Sequence, residues 1–160
     1  MTPDRSYVEQ NTRERERLRG LVTRLGDDEL RASVNEHWTV AGVLGHIAFW
    51  DACALVLADK VERGIPLSPS DAEPEDVDWI NDATRPLIDA IAPRAAAQLA
   101  MRLAEETDSR VASLPLALLW PNNATSPLNP FRAEHRAEHL DEIEAALGGV
   151  GGPRAQADRS

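Results

Sequence analysis

The stretch WTVAGVLGHIAFWDACALVLADKVERG, residues 38–64, decides the fold. Thr39 is a suitable helix N-cap, and Trp38 before it can pack back on the first turn as a hydrophobic staple. Small and apolar residues then dominate until Gly64, a residue type that commonly ends a helix. The stretch therefore predicts one long apolar helix that starts at Thr39 and ends at about Arg63.

One face of this helix carries only small residues, namely Ala41, Gly45, Ala48 and Ala52. Such a row would let a neighbouring helix approach closely. The two glycines Gly42 and Gly45 each disfavour the helix by roughly 1 kcal/mol relative to alanine. We therefore expect packing or function to compensate for glycine at these two positions.

Helical periodicity of apolar residues recurs on both sides of this stretch. The predicted helices run up to Gly26, from Val77 to Ile91 with a kink at Pro86, from Pro93 to Leu114, and from about Pro130 to Leu147 before Gly148 and Gly149. No segment alternates between apolar and polar residues for long enough to predict a strand. The sequence therefore predicts an all-α fold, and specifically a four-helix bundle.

The chain has 160 residues, which is the size of a single domain. We expect residues 1–148 to form the bundle domain and the polar residues 149–160 to form a disordered tail. The stretch from Val111 to Phe131 contains no charged residue, but its four prolines and three asparagines would break a membrane-spanning helix. It predicts a long loop.

Charge and cysteine content narrow the class of protein. The formal net charge of −10 argues against a nucleic-acid partner, since phosphates bind to basic surfaces. The single cysteine, Cys53, excludes an internal disulfide and a four-cysteine zinc site, and it fits a reducing compartment. The N-terminal residues lack the apolar segment of a secretory signal. We therefore expect a cytoplasmic protein with neither a nucleic-acid nor a membrane partner.

Three histidines are predicted to face the core. His135 and His139 are four residues apart, so they share a helix face, and the same row continues to Ile143. His46 lies in an apolar row with Trp50 on the long helix. Three neutral imidazoles directed into one core suggest a site for zinc, nickel or copper. An inward histidine also suits a hydrogen-bonded core residue, and the sequence alone does not place His46 beside the pair.

Several neighbouring residues are weaker candidates. Trp50, one turn beyond His46, is a candidate for lining a pocket at this site, although a core tryptophan has the same pattern. Asn81 and Thr84 are polar residues on an otherwise apolar helix face, so they could line the pocket or be hydrogen-bonded core groups. Cys53 continues the row of His46, and we expect it to be a small buried apolar residue rather than a ligand.

Three charged residues near these positions are expected to face water. Asp51 follows the histidine row, and we expect it to lie in solvent rather than to support a ligand. Arg132 and Arg136 lie close to the histidine pair, and we expect them to be exposed as well. The sequence therefore identifies no basic pocket for the carboxylates of a small molecule.

Two blocks of the chain resemble the DinB-like family, also called the DinB/YfiT-like four-helix metalloenzymes. The first block is residues 38–51, with its tryptophan, helix-starting threonine, apolar run and histidine. The second is residues 135–139, whose H-x-x-x-H pattern is followed by an apolar helix row. The resemblance implies a bundle in which His46, His135 and His139 bind one divalent metal, often zinc or nickel, in a protein that is commonly a homodimer.

The resemblance also implies a class of reaction. Some members of that family depend on low-molecular-weight thiols, such as the mycothiol-dependent maleylpyruvate isomerase and bacillithiol-using transferases. Three protein ligands leave one metal position open, which is typical of a catalytic site. We therefore expect a metal-dependent transferase or isomerase that acts on a small molecule with a thiol co-substrate. A metal-dependent hydrolase and a non-enzymatic, dimeric metal- or small-molecule-binding bundle are the alternatives.

Overall fold

The computed structural model describes residues 4–66 and 77–150. These residues form six α-helices and contain no β-strand, so the predicted all-α fold is confirmed. The helices are α1 (Ser6–Arg24), α2 (Asp27–Arg31), α3 (Val40–Glu62), α4 (Asp78–Asp89), α5 (Pro93–Ser113) and α6 (Ala133–Val150), and a short 3-10 helix covers Leu116–Leu118.

The four longest helices contact one another in a closed ring. Helix α3 packs against α5, α5 against α1, α1 against α6, and α6 against α3. The two short helices are added to this ring, because α2 contacts α3 and α5 while α4 lies on α3. The described residues therefore contain six helices, which are the five predicted segments and α2, and the four longest of them form the ring.

Helix α3 is the central helix, and every residue from Val40 to Ala48 is buried. Its start is the predicted one, because Thr39 Oγ1 accepts a hydrogen bond from Gly42 N at 3.0 Å. Its last residue is Glu62, and Gly64 shortly after it has a φ of 67°, the left-handed conformation that favours glycine. By length and composition α3 could also cross a membrane, but 61% of its apolar window is buried inside the protein, as in a bundle core.

Gly45, one member of the row of small residues on α3, lies against α4, so a neighbouring helix approaches closely there, as predicted. A Cβ atom added at Gly45 would lie 2.6 Å from Cγ2 of Ile88, a residue that is itself buried. A Cβ atom added at Gly42 would lie 2.8 Å from Trp38 Cε3. Close packing therefore compensates for both glycines, since no larger side chain fits without a shift of its neighbours.

Several predicted boundaries differ from those observed. The last helix begins at Ala133 rather than Pro130, and it continues to Val150 instead of ending at the two glycines 148 and 149. The predicted end at Gly148 was wrong, because glycine weakens a helix without preventing it. Helix α2 was not predicted because five residues show too little periodicity. The division into residues 1–148 and 149–160 stays a prediction, because residues 151–160 lie outside the described part.

The long connection from α5 to α6 is a loop, as predicted, with only the 3-10 turn inside it. Leu119 and Leu128 are buried in a second small core together with Tyr7 of α1 and Val111 of α5. The backbone N–H of Trp120 donates to the carbonyl of Leu128 at 3.0 Å, which closes the loop on itself. This anchored loop delivers the chain to the start of α6.

Candidate metal centre

The start of α6 is held by a buried side chain of α1. Asn11 is 1% exposed, and its Oδ1 accepts hydrogen bonds from the backbone N–H groups of Arg132 and Ala133, each at 2.9 Å. Its Nδ2 donates to the carbonyl of Pro130 at 2.7 Å. Because the first N–H groups of a helix have no partner within it, Asn11 acts as a cap supplied by another helix. It sets the height of α6 and of its two histidines.

The structure brings the three predicted histidines together. His46 on α3 is buried, and His135 and His139 on α6 are partly buried. The ring centroid of His46 lies 5.3 Å from that of His135 and 4.7 Å from that of His139, and the two α6 rings are 4.6 Å apart. One nitrogen from each ring lies within 4.8 Å of the other two.

The free ring nitrogens show that these residues suit a metal ion. The Nδ1 atoms of His46 and His135 are buried and have no hydrogen-bond partner in the described part of the chain. Buried polar atoms normally have partners, so two adjacent imidazole nitrogens without one fit the role of metal ligands. The Nδ1 of His139 instead lies 3.0 Å from Oε2 of Glu142, which leaves Nε2 as its ligand atom.

The donor set also suits such an ion. Three imidazoles are typical ligands of zinc, nickel and copper.

Burial keeps two of the imidazoles neutral. It lowers the pKa of His46 to about 4, with a further contribution from the nearby His139. Burial is also the main cause that lowers the pKa of His135 to about 2, followed by His139 and then Arg132. At neutral pH both rings are therefore uncharged, which is the form that binds a metal.

A buried network of arginine and aspartate side chains lies next to the histidines. Arg136, which is completely buried, donates from Nε to Asp51 Oδ2 at 2.9 Å and from both Nη atoms to the two carboxylate oxygens of Asp108, each at 2.9 Å. Arg132 donates to Asp51 Oδ1 at 3.0 Å, and Arg15 donates to Asp108 Oδ2 at 2.8 Å. The network joins α1, α3, α5 and the start of α6.

The prediction that three of these side chains face water was wrong. Asp51 and Arg136 are 0% exposed, and the Arg132 side chain is 14% exposed. Asp51 lies on a buried face of α3, where Arg132 and Arg136 pair with its carboxylate. Arg136 pairs with carboxylates from two other helices. Pairing between helices cannot be read from the apolar periodicity of one helix.

Aromatic side chains and α4 form the surroundings of His46. The ring of Trp38 lies 5.6 Å from the His46 ring, and the guanidinium carbon of Arg85 lies 5.3 Å from the centroid of the Trp38 ring. Trp50 Nε1 donates to Asn81 Oδ1 at 3.0 Å and so joins α3 to α4. The role of Trp50 and Asn81 in lining a pocket stays a prediction.

The remaining candidates lie outside the histidine cluster. Thr84 Oγ1 donates to the carbonyl of Ile80 at 2.9 Å, so this hydroxyl is satisfied within its own helix. Cys53 is half-buried, and burial raises the pKa of its thiol despite the opposing effect of Arg132. Both observations agree with the packing roles that the sequence also allowed for these residues.

Three residues of this region were missed at the level of sequence. Asn11 falls in the same helical row as Tyr7 and Leu18, and a polar residue in a buried row was a usable signal. Asp108 lies between Ala104 and Val111 in a buried row of α5, which is the same kind of signal, whereas Arg85 looks like any charged residue on a helix surface. Their positions depend on how helices pack.

Comparison with known proteins adds one finding to this geometry. The family profile of the DinB superfamily matches residues 10–143, which include all three histidines and most of the bundle. Comparisons with curated proteins and with solved structures find no match. Because the profile covers most of the sequence, the match applies to the domain as a whole. The chain therefore belongs to the DinB superfamily.

Proposed function

We propose that this protein binds one divalent transition metal, zinc or nickel, through His46, His135 and His139. The observation that supports it best is the convergence of three imidazoles from two helices, with two buried ring nitrogens that lack a partner among the described residues. Three protein ligands leave a coordination position free, which favours a catalytic or substrate-binding role over a structural one. The bundle has its own apolar core, so the ion is not needed to hold the fold.

We propose further that the protein is a transferase or isomerase that uses a low-molecular-weight thiol such as mycothiol as co-substrate. When bound, the metal would favour the thiolate form of that thiol at neutral pH. The chain would supply the neutral histidines, the rigid support of α6 and the aromatic surroundings of His46. The choice of a thiol follows from the family resemblance, and a cytoplasmic location fits it because thiols are kept reduced there.

The metal site is tested by elemental analysis of protein purified without a histidine tag. We expect close to one equivalent of metal in the wild-type protein and almost none in His135→Ala or His139→Ala. His37→Ala is the matched control, because this fourth histidine is exposed and lies outside the cluster. Circular dichroism should show that all variants keep their helices. A wild-type protein that neither contains nor rebinds a transition metal would overturn the proposal.

The reaction is tested with the metal-loaded protein against a set of thiols and small electrophiles. Thiol-dependent turnover that disappears in His135→Ala together with the metal supports the enzyme. Turnover that survives loss of the metal contradicts the mechanism. Full metal content without turnover of any thiol pair identifies a binding protein, and turnover of esters or amides without a thiol identifies a hydrolase.

We also propose that the protein is a homodimer. Helix α4 leaves two large apolar side chains in solvent, because Trp79 is 63% exposed and Leu87 is 70% exposed. Burying such side chains at an interface between two copies would remove apolar area from water. This surface supports association, and the family resemblance supports the symmetric form.

A further inference from the structure

The packing of α4 against α3 brings one cation of α4 to the height of His46. Trp50 on α3 is hydrogen-bonded to Asn81 on α4, while a Cβ atom on Gly42 would lie 3.6 Å from Asp89 Oδ1. Residue numbers rise along one helix as they fall along the other, so the two helices run antiparallel at this contact. The two contacting residues of α3 are eight residues apart, and so are the two contacting residues of α4.

The residues halfway between these contacts should therefore lie opposite each other on the two helices. On α3 the midpoint between residues 42 and 50 is His46, and on α4 the midpoint between residues 81 and 89 is Arg85. Residues four apart lie on the same face of a helix, so Arg85 lies at the height of the metal ligand His46. The ring contacts agree, since Trp38 touches both residues.

The guanidinium of Arg85 has hydrogen-bonding capacity to spare. One of its Nη atoms donates to the exposed carboxylate of Asp82 at 2.7 Å. Its Nε is buried and has no partner in the part of the chain that the structure describes. The side chain as a whole is 28% exposed, so part of it borders solvent although Nε itself does not. A buried guanidinium N–H without an acceptor is costly, and a carboxylate would satisfy it with two parallel hydrogen bonds.

We propose that Arg85 binds the carboxylate of a small molecule held at the three-histidine site. The aromatic face of Trp38 holds the guanidinium in place by a cation–π contact. A carboxylate on a short chain would thus be held on the α4 side while its other end lies next to His46. The inference deepens the proposed function, since it gives the thiol co-substrate or its reaction partner a carboxylate group.

The test compares ligands that differ only in charge. Cobalt(II)-loaded protein is titrated with 3-mercaptopropionate and with its uncharged analogue 3-mercapto-1-propanol, and the thiolate–cobalt absorption band gives each affinity. We expect the acid to bind at least about tenfold more tightly, since a hydrogen bond to a charged group contributes that much. In Arg85→Gln this preference should disappear while the affinity for the alcohol stays the same.

Two further variants sharpen the test. Arg85→Lys keeps the charge without the planar fork and should retain only part of the preference. Arg102→Gln is the matched control, because this arginine is exposed on α5 and is paired with Glu106. It should behave as the wild type. Equal affinities for the two thiols in the wild type, or an unchanged preference in Arg85→Gln, would overturn the proposal.

A third ligand separates this inference from the proposed thiol chemistry. Propionate carries the carboxylate without the thiol, and calorimetry measures its binding whether or not metal is present. If neither thiol gives an absorption band but propionate binds and loses its affinity in Arg85→Gln, the thiol chemistry fails and the role of Arg85 stands. If propionate and both thiols bind the wild type and Arg85→Gln equally, or none of them binds, the role of Arg85 is disproved.

Discussion

The contact between Glu142 and His139 indicates how one of the three imidazoles is oriented. Its carboxylate lies 3.0 Å from Nδ1 of His139, one turn back on α6. A carboxylate at this ring position fixes which nitrogen carries the proton and turns the other nitrogen toward the ion. The remaining two histidines have no such partner among the described residues. His139 is therefore the ligand whose orientation is set in advance.

Removing this carboxylate should weaken the metal site without removing a ligand. We expect Glu142→Ala to lower metal affinity by about 10- to 100-fold, the usual effect of losing a group that orients a ligand. Competition with a chromophoric chelator measures this change. Glu138→Ala is the control, because that carboxylate is exposed on the same helix and should have almost no effect. Equal metal affinity in the two variants would contradict the role given to Glu142.

At the scale of helices, the contact between α3 and α4 depends on the absence of a side chain at Gly45. Ile88 is branched at Cβ, so its Cγ2 atom cannot swing away from an added methyl group without moving the whole side chain. The same contact sets the position of Arg85 relative to His46. Helix α4 thus depends on glycine for its fit and carries a candidate ligand-binding residue.

Alanine at Gly45 should therefore destabilise the protein. We expect Gly45→Ala to lower the free energy of unfolding by about 1–3 kcal/mol through overpacking, although alanine is the better helix former. Gly20→Ala on α1 is the matched comparison, since nothing lies within 4 Å of its added Cβ atom. That variant should gain up to about 1 kcal/mol. Urea unfolding measures both, and a stabilised Gly45→Ala would refute the close contact.

The buried network makes a second prediction about helices. Asp51→Asn removes one charge of the network and leaves Arg136 and Arg132 incompletely paired. Breaking a buried ion pair in this way should lower the free energy of unfolding by about 3 kcal/mol or more. The control Arg102→Ala breaks an exposed pair and should change it by less than about 1 kcal/mol. Similar urea midpoints for the two variants would show that the network does not stabilise the bundle.

These elements also show how far sequence patterns reach. The cap at Thr39, the end of α3 at Gly64 and the inward histidines were predictable, because each depends on residues close together in one helix. The buried state of Asp51 and Arg136 was not, because it depends on carboxylates and guanidinium groups from different helices. The position of Arg85 was missed for the same reason, since it follows from the register between two helices.

For the whole molecule, the exposed apolar residues of α4 predict association. Light scattering at tens of micromolar protein should give the mass of a dimer, because Trp79 and Leu87 would otherwise remain in water. A monomer mass at this concentration would contradict the proposed homodimer. Trp79→Ser tests whether α4 takes part, and it should shift the equilibrium toward the monomer if this helix lies in the interface.

The closed ring of helices also has a consequence during synthesis on the ribosome. His46 lies on a helix made early, whereas His135 and His139 lie on the last described helix. The earlier helices can begin to pack while the chain is still growing. The proposed metal site, however, would have only one of its three ligands until α6 has emerged and docked on Asn11. Metal capture would therefore follow the emergence of α6, and a product truncated before α6 would lack two of the three proposed ligands.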